Sequence, residues 1–156
     1  MGDPEPLTSR VAGYIAAHAL FEPGQPVLAL VSGGADSICA WGVLRELGHE
    51  VEALHVEHGL RGADGLADAM HCAGLGATVV AVDVPAGPNL EARAREARYT
   101  AAREHADGRS IATGHTLSDQ AETVLYRLVS SSGARAISAM RPESGGIARP
   151  LLCVTA

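Results

Sequence analysis

The chain has 156 residues, enough for one domain with a substantial hydrophobic core. Its net charge is −6, and its 12 basic residues are all arginine, so the composition argues against nucleic-acid binding through charge alone. The absence of lysine excludes the ordinary phosphate loop, which ends in Gly-Lys-Ser/Thr, and any lysine nucleophile. The three cysteines lack CxxC spacing, which argues against a cysteine-based zinc or iron–sulfur site. With no signal peptide or long apolar run in the sequence, we expect a cytoplasmic protein that does not contact membranes.

The chain is predicted to divide near residue 25. In residues 1–25, apolar positions from Leu7 to Leu20 recur at helical spacing, and a turn rich in Pro and Gly follows. This part is predicted to be a lead-in helix and turn. In residues 26–156, short apolar strands alternate with helices, which predicts one α/β domain.

Residues 27–37 are the most informative stretch. The apolar residues 27–31 predict a buried parallel strand, the Ser-Gly-Gly turn at 32–34 follows it, and Asp36 and Ser37 begin an apolar helix. Adjacent glycines leave no Cβ in the way of a ligand. Backbone N–H groups at such a turn and helix start attract an anion. The alternative is a plain strand-to-helix turn that is capped by Asp36 or Ser37.

A second strand, 51–56, runs into His-Val-Glu-His-Gly-Leu-Arg at 55–61. His55 and His58 would face opposite sides of an extended segment, so they can share a metal only if the turn begins between them. The other interpretation is a ligand loop at the carboxyl end of a parallel strand, where Arg61 can meet a phosphate.

Two later helices are predicted to bury an apolar side. The helix over 64–76 precedes a third strand at 78–84, and the second helix begins near residue 118. The residues expected to face inward are Leu66, Met70, Ala73 and Leu75 in the first helix and Val124, Leu125, Leu128 and Val129 in the second.

A helix of high propensity is predicted over 89–106. Glu91 and Arg95 are four residues apart, in the order that favours a salt bridge on a solvated face. Arg95 and Arg98 share a face, and a pair of arginines can meet phosphate or an RNA backbone. The spacing alone leaves both interpretations open.

The fourth strand, 109–113, leads into a second glycine turn that begins with Gly114 and His115. Like the first, it joins a strand to a helix through a glycine and polar residues. Asp119 and Glu122 lie three apart on one helix face. These carboxylates can cap the helix, or they can bind magnesium or a cationic substrate.

Five motifs occur in one order: Ser-Gly-Gly-Ala-Asp-Ser (32–37), His-Val-Glu-His-Gly-Leu-Arg (55–61), Glu-Ala-Arg-Ala-Arg-Glu-Ala-Arg-Tyr (91–99), Gly-His-Thr-Leu-Ser-Asp-Gln-Ala-Glu-Thr (114–123) and Arg-Pro-Leu-Leu (149–152). The first resembles the pyrophosphate loop (PP-loop) of ATP pyrophosphatases. Together the five resemble the catalytic domain of tRNA(Ile)-lysidine synthetase, over roughly residues 26–154. That family uses ATP to adenylate the C2 oxygen of the wobble cytidine of an isoleucine tRNA, and free lysine then displaces AMP.

The resemblance implies a role for each matching residue. For ATP and Mg²⁺, it implies that the nucleotide is bound by Ser32, Gly33, Gly34, Asp36, Ser37, His58, Arg61 and Gly114, with Asp36 also holding the magnesium. It implies the catalytic residues Asp36, His115, Asp119 and Glu122. It places near the tRNA or substrate the residues Glu91, Arg95 and Arg98.

The sequence also departs from the family pattern. Ser118 stands where the family usually has Asp, Glu57 stands for an Asp, and Ser-Ser-Ser-Gly at 130–133 replaces Arg-Gly-Ser-Gly. The resemblance also ends early, before the helical tRNA-binding parts of the family. With a net charge of −6, we therefore expect this chain alone to bind tRNA weakly.

The predicted fold is a doubly wound, mostly parallel α/β sheet of five strands, Rossmann-like, with ATP across the carboxyl ends of the first and fourth strands. The five strands are 27–31, 51–56, 78–84, 109–113 and a short one near 147–149. Two alternatives to a lysidine synthetase stay open. One is another PP-loop tRNA-modifying or amide-forming ligase, and the other is a degenerate, non-catalytic nucleotide-binding module.

Overall fold

The computed structural model describes residues 5–85, 87–130 and 139–156. Helices and strands alternate along most of the chain, as the hydrophobic pattern predicts. None of the described helices has both the length and the apolar character that a membrane span requires. The described elements are α1 (Leu7–His18), β1 (Val27–Leu30), α2 (Ala35–Glu46), β2 (Val51–Glu57), α3 (Ala63–Gly74), β3 (Thr78–Ala81), α4 (Leu90–His105), β4 (Ser110–Thr113), α5 (Leu117–Ser130), β5 (Glu143–Ser144) and β6 (Ile147–Ala148).

The strands form one sheet in the order β3-β2-β1-β4-β6-β5. The first five of these are parallel, and the two-residue strand β5 pairs antiparallel with β6 at the edge. The five predicted parallel strands are confirmed, while β5 was not predicted. From β1 the chain proceeds outward through β2 and β3 on one side and later through β4 and β6 on the other. The switch point of the sheet therefore lies between β1 and β4.

Helices cover both faces of the sheet, as expected for a doubly wound fold. On one face, Ala29 of β1 belongs to a core cluster with Trp41 of α2 and Cys72 of α3. On the other face, Leu28 clusters with Tyr99 of α4. Because successive residues of a strand point to opposite faces, the short strand β1 is buried on both sides and anchors the centre of the domain.

Helix α3 does not bury the side that the hydrophobic spacing predicts. Its buried residues are the small Gly65, Ala69 and Cys72. Leu66 and Met70 are instead 61% and 68% exposed. Small residues allow the helix to lie close to β2 and β3, and the larger side chains then point away from the sheet. The predicted inward face is therefore wrong for this helix.

Helix α5 also differs from the prediction. Leu125 is 62% exposed, Leu128 is 52% exposed and Val129 is 91% exposed. None of residues 117–129 is buried against the part of the chain that the structure describes. Amphipathic spacing correctly indicates a helix with an apolar face, but spacing alone does not determine whether another element covers that face.

Candidate active site

A cleft of about 390 Å³ opens at the carboxyl ends of β1, β2 and β4. It lies at the switch point, where open α/β sheets bind ligands. Four segments form its walls: the turn after β1, the loop after β2, part of α4 and the turn after β4. Of the residues predicted from the sequence to belong to the site, those that line the cleft are Ser32, Gly34, Asp36, Ser37, His58, Arg61, Arg98, Gly114, His115 and Asp119.

The turn after β1 is organised by Ser37. The Ser37 hydroxyl oxygen accepts a hydrogen bond from the backbone N–H of Ser32 at 3.0 Å, and the hydroxyl donates to the carbonyl oxygen of Gly34 at 2.8 Å. Gly33 has a φ of +89°, a conformation that other residues rarely adopt. No side chain caps α2, so this is not the plain capped turn that the sequence left open. The first residues of α2 instead line the cleft, and the first N–H groups of a helix have no intrahelical partners.

The two glycine turns touch at Gly114. A Cβ at this position would lie 2.6 Å from the Cα of Ser37 and 2.7 Å from the carbonyl oxygen of Asp36. Both neighbouring atoms belong to the backbone and cannot swing aside. The absence of a side chain at 114 therefore allows the turn after β4 to close against the start of α2.

His115 is an uncharged base at neutral pH. Burial, followed by the positive charges of Arg149, Arg95 and Arg98, lowers its pKa from 6.5 to about 4. Its Nδ1 lies 2.8 Å from the hydroxyl of Thr113. His115 can therefore offer a hydrogen bond in the cleft, but not a positive charge, to a ligand.

Arg149 was not predicted as a site residue. It is 4% exposed, and its Nη1 donates to the carbonyl oxygen of Arg141 at 3.0 Å and to the hydroxyl of Ser144 at 3.1 Å. It follows β6 directly, so its charge is held near the cleft by the sheet. The Arg-Pro-Leu-Leu motif singled out this residue, but spacing in the sequence did not indicate that it would act on His115.

Asp119 caps α5 and also lines the cleft. Its Oδ2 accepts the backbone N–H of Thr116 at 2.7 Å, and its own N–H donates to the Thr116 hydroxyl at 3.4 Å. This reciprocal pair is a capping box. The capping role that the sequence left open is therefore present. Glu122 is exposed and does not line the cleft.

The loop after β2 forms the second wall. The Nδ1 of His58 accepts the N–H of Leu60 at 3.4 Å, which places the ring along the loop. Arg61 forms an ion pair with Asp68 of α3, which itself lies 3.5 Å from the Cβ position of Gly33. Asp68 is thus a cleft residue that the sequence motifs did not reveal. The charge of Arg61 is already paired, although exposed ion pairs are weak enough for a phosphate to compete.

The arginines of α4 stack on Tyr99. The guanidinium carbons of Arg95 and Arg98 lie 5.3 and 5.8 Å from the centre of its ring. Arg98 and Tyr99 line the cleft, whereas Arg95 and Glu91 are exposed outside its lining. No ion pair joins Glu91 to Arg95 in the described parts of the chain, so the expected salt bridge is not formed. The predicted common face of Arg95 and Arg98 is confirmed.

Asp36 is the residue of the first turn that could bind a metal ion together with the phosphates of a ligand. Across residues 5–85, 87–130 and 139–156, no group of three His, Cys, Asp or Glu side chains could hold a metal. Magnesium usually binds through one or two carboxylates together with substrate phosphates. Asp36 beside the first turn supplies such a carboxylate. The Nδ1 of His55, a residue considered above as a metal ligand together with His58, lies 2.9 Å from the carbonyl oxygen of Val31.

One of the departures from the family pattern, at residue 118, lies away from the cleft. Ser118 is exposed, and its hydroxyl accepts the N–H of Ala156 at 3.1 Å. The change at residues 130–133 concerns side chains outside the described part of the structure. Of the departures at described side chains, Glu57 lies in the cleft and Ser118 does not.

The sequence pattern of the PP-loop domain matches residues 8–156. The chain belongs to the PP-loop family. It is 43% identical to the tRNA(Ile)-lysidine synthase of Solibacter usitatus, over 85% of this chain and 32% of that protein. It is 44% identical to that of Rhodococcus erythropolis over 85% and 42% of the two chains, and 42% identical to that of Nocardia farcinica over 95% and 48%. The resemblance inferred from the five motifs is confirmed.

This PP-loop chain spans between a third and a half of the length of these relatives. Its fold is similar to that of an NH3-dependent NAD synthetase from Campylobacter jejuni, with a TM-score of 0.54, 16% identity and coverage of 92% of this chain and 65% of the other. At that identity the likeness supports the fold alone, and it agrees with the Rossmann-like architecture.

Proposed function

We propose that this PP-loop domain is the ATP-binding catalytic part of a tRNA(Ile)-lysidine synthase. The observation that carries the proposal is the backbone contact between the two glycine turns at Gly114. Because of this contact, both turns line the same cleft at the switch point. The identity to relatives of that name supports the choice among PP-loop ligases.

The first turn is proposed to bind the β and γ phosphates of ATP. The N–H groups at the start of α2, including that of Ser37, and the hydroxyl of Ser32 would donate hydrogen bonds to an anion. The hydroxyl of Ser37 donates to the carbonyl oxygen of Gly34 and holds the turn in shape. Asp36 would hold Mg²⁺, which neutralises phosphate charge when it is bound. His58 and Arg61 would contact the nucleotide from the second wall, where the Arg61–Asp68 pair can open towards a phosphate.

The proposed reaction has two steps. The C2 oxygen of the wobble cytidine attacks the α phosphorus of ATP, and pyrophosphate leaves. The amine of free lysine then attacks C2, and AMP leaves. His115, uncharged at neutral pH, can hydrogen-bond to the transferring phosphate, while Arg149 and Arg98 supply positive charge near it.

The lysine amine must lose a proton before it can attack. Asp119 lines the cleft and is proposed to hold the ammonium. The proton is proposed to pass to the carboxylate of Asp119 or of Glu122, which lies three residues further along α5. Glu91, Arg95 and Arg98 are proposed to face the tRNA. Because the chain carries a net charge of −6, its own affinity for tRNA should be low.

The test measures pyrophosphate and AMP release from Mg-ATP, with wobble-cytidine isoleucine tRNA and lysine added separately and together. We expect tRNA-dependent pyrophosphate release, AMP release that also requires lysine, and loss of both in Asp36→Ala. Asp64→Ala is the matched control, because Asp64 is also an acid in the first turn of a helix, is exposed, and lies outside the cleft lining.

Other outcomes point to the alternatives. ATP binding without any release under these conditions would overturn the enzymatic proposal and favour a nucleotide-binding module. Two observations favour a nucleotide-binding module. One carboxylate oxygen of Asp119 is already hydrogen-bonded in the cap of α5, and residue 118 is a serine that supplies no second carboxylate. Pyrophosphate release that depends on an acceptor other than this tRNA would favour a different PP-loop ligase.

A further inference from the structure

The carboxylate of Glu57 shapes the second wall of the cleft. Glu57 is the last residue of β2, and its Oε1 accepts the backbone N–H of Gly59 at 2.6 Å. Its Oε2 lies 3.8 Å from the Nε2 of His55. The His55 ring is buried in the lining, and its Nε2 has no hydrogen-bond partner in the described structure. The side chain of Glu57 therefore fixes the backbone at the start of the loop that carries His58 and Arg61.

This carboxylate occupies space that a side chain at position 65 would need. Gly65 is buried in the first turn of α3, directly across from Glu57. A Cβ there would lie 2.8 and 2.9 Å from the two carboxylate oxygens and 3.1 Å from the Cδ atom. These distances are well below ordinary van der Waals contact. Since the atoms approached are the end of a flexible side chain, a methyl group at 65 would displace the carboxylate rather than the backbone.

We propose that Gly65 is a positioning residue that makes room for the longer carboxylate of Glu57, and that the pair sets the shape of the nucleotide cleft. The side chain of Glu is one methylene longer than that of Asp, and this length brings its carboxylate to the Cβ position of Gly65. An Asp at 57 would withdraw the carboxylate from Gly65, so that a methyl group there would no longer collide with it. The choice of Mg-ATP as the ligand rests on the proposed function.

The test compares Gly65→Ala, Glu57→Asp and the double variant with the unmodified chain. Each is titrated with Mg-ATP by calorimetry, and each is unfolded with urea. We expect Gly65→Ala to weaken ATP binding about tenfold and the added Glu57→Asp to restore most of that loss, since residues in contact are not additive. The free energy of unfolding should change little in Gly65→Ala, which separates positioning from general damage.

Gly74→Ala is the matched control. Gly74 is the last residue of the same helix, is exposed, and has nothing within 4 Å of its Cβ position. This variant should bind Mg-ATP like the unmodified chain. ATP affinity unchanged by Gly65→Ala, or losses that simply add in the double variant, would overturn the proposal.

A second measurement does not depend on ATP. Amide hydrogen exchange at Gly59 reports its bond to Glu57, and we expect exchange to quicken about tenfold in Gly65→Ala and to stay unchanged in Gly74→Ala. If the unmodified chain binds no ATP, the proposed function fails while this experiment still decides whether Gly65 positions Glu57. Unchanged exchange in Gly65→Ala would contradict that positioning.

Discussion

The domain contains two similar units, each made of a strand, a glycine turn and a helix. The first is β1, residues 31–34 and α2, and the second is β4, residues 114–116 and α5. Their strands are adjacent and parallel, so both turns reach the same edge of the sheet. The helices differ: α2 buries residues such as Ala40 and Leu44, whereas none of residues 117–129 in α5 is buried against the described part of the chain.

This difference separates two ways of holding a site residue. In the first unit, the turn is fixed by a helix that belongs to the core. In the second, His115 and Asp119 are placed by the strand, by the capping box with Thr116 and by contact at Gly114. In the described part of the chain, the residues of the second turn are therefore located by strand register, the capping box and the backbone contact at Gly114.

The largest effect should come from the buried helix. Leu44→Ala removes a side chain that is 0% exposed and should lower the free energy of unfolding by about 4 kcal/mol. Leu125→Ala, the same change at a position that is 62% exposed in α5, should alter it by less than about 0.5 kcal/mol. Urea unfolding measures both values. A comparable loss in the two variants would contradict the contrast between the helices.

The contact between the units can be broken at Gly114. In Gly114→Ala the new methyl group meets the backbone of residues 36 and 37, and we expect a loss of about 3 kcal/mol in unfolding free energy. Mg-ATP binding should fall with it, because the turns can no longer close. The control is Gly42→Ala in α2, where a Cβ would meet nothing within 4 Å. That variant should be equally stable or slightly more stable than the unmodified chain.

Much of the fold could be predicted because local chemistry dictated it. Short apolar runs such as 27–31 are too brief for helices, and helical patterns alternate with them, so the strands and their parallel arrangement could be inferred. The order of the strands in the sheet was not predicted. Whether the apolar sides of α3 and α5 are buried could not be predicted, because spacing identifies an apolar face without showing what packs against it. Leu66 and Leu125 were predicted to face inward, but both are exposed.

The candidate site shows the same contrast between features set by local sequence and features set by packing. The sequence predicted a ligand across the carboxyl ends of the first and fourth strands, and the structure has both glycine turns lining one cleft there. The roles of the individual residues stay predictions. Asp68, Arg149 and Gly65 were missed because their roles depend on contacts between distant segments. The bond between Arg61 and Asp68 spans only seven residues, yet its place beside Gly33 becomes visible only when α3 lies against the first turn.

The second turn also carries a pH-dependent contribution to stability. The pKa of His115 falls from 6.5 in the unfolded chain to about 4 in the folded one, so the unfolded state binds more protons between these values. Its contribution is fully present above pH 6.5 and is lost as the pH falls towards 4. Between pH 7.5 and pH 4.5 the loss should amount to about 2 kcal/mol.

His115→Gln isolates this contribution, because glutamine keeps a polar side chain without a titrating group. Urea unfolding at the two pH values should show a smaller decrease in stability for the variant than for the unmodified chain, by about 2 kcal/mol. His18→Gln is the control, since His18 is exposed at the end of α1, away from the cleft. An equal pH dependence in His115→Gln and the unmodified chain would mean that His115 can take up a proton in the folded cleft. In that case it would be free to act as a cation towards phosphate, and the role of an uncharged hydrogen-bonding base would be wrong.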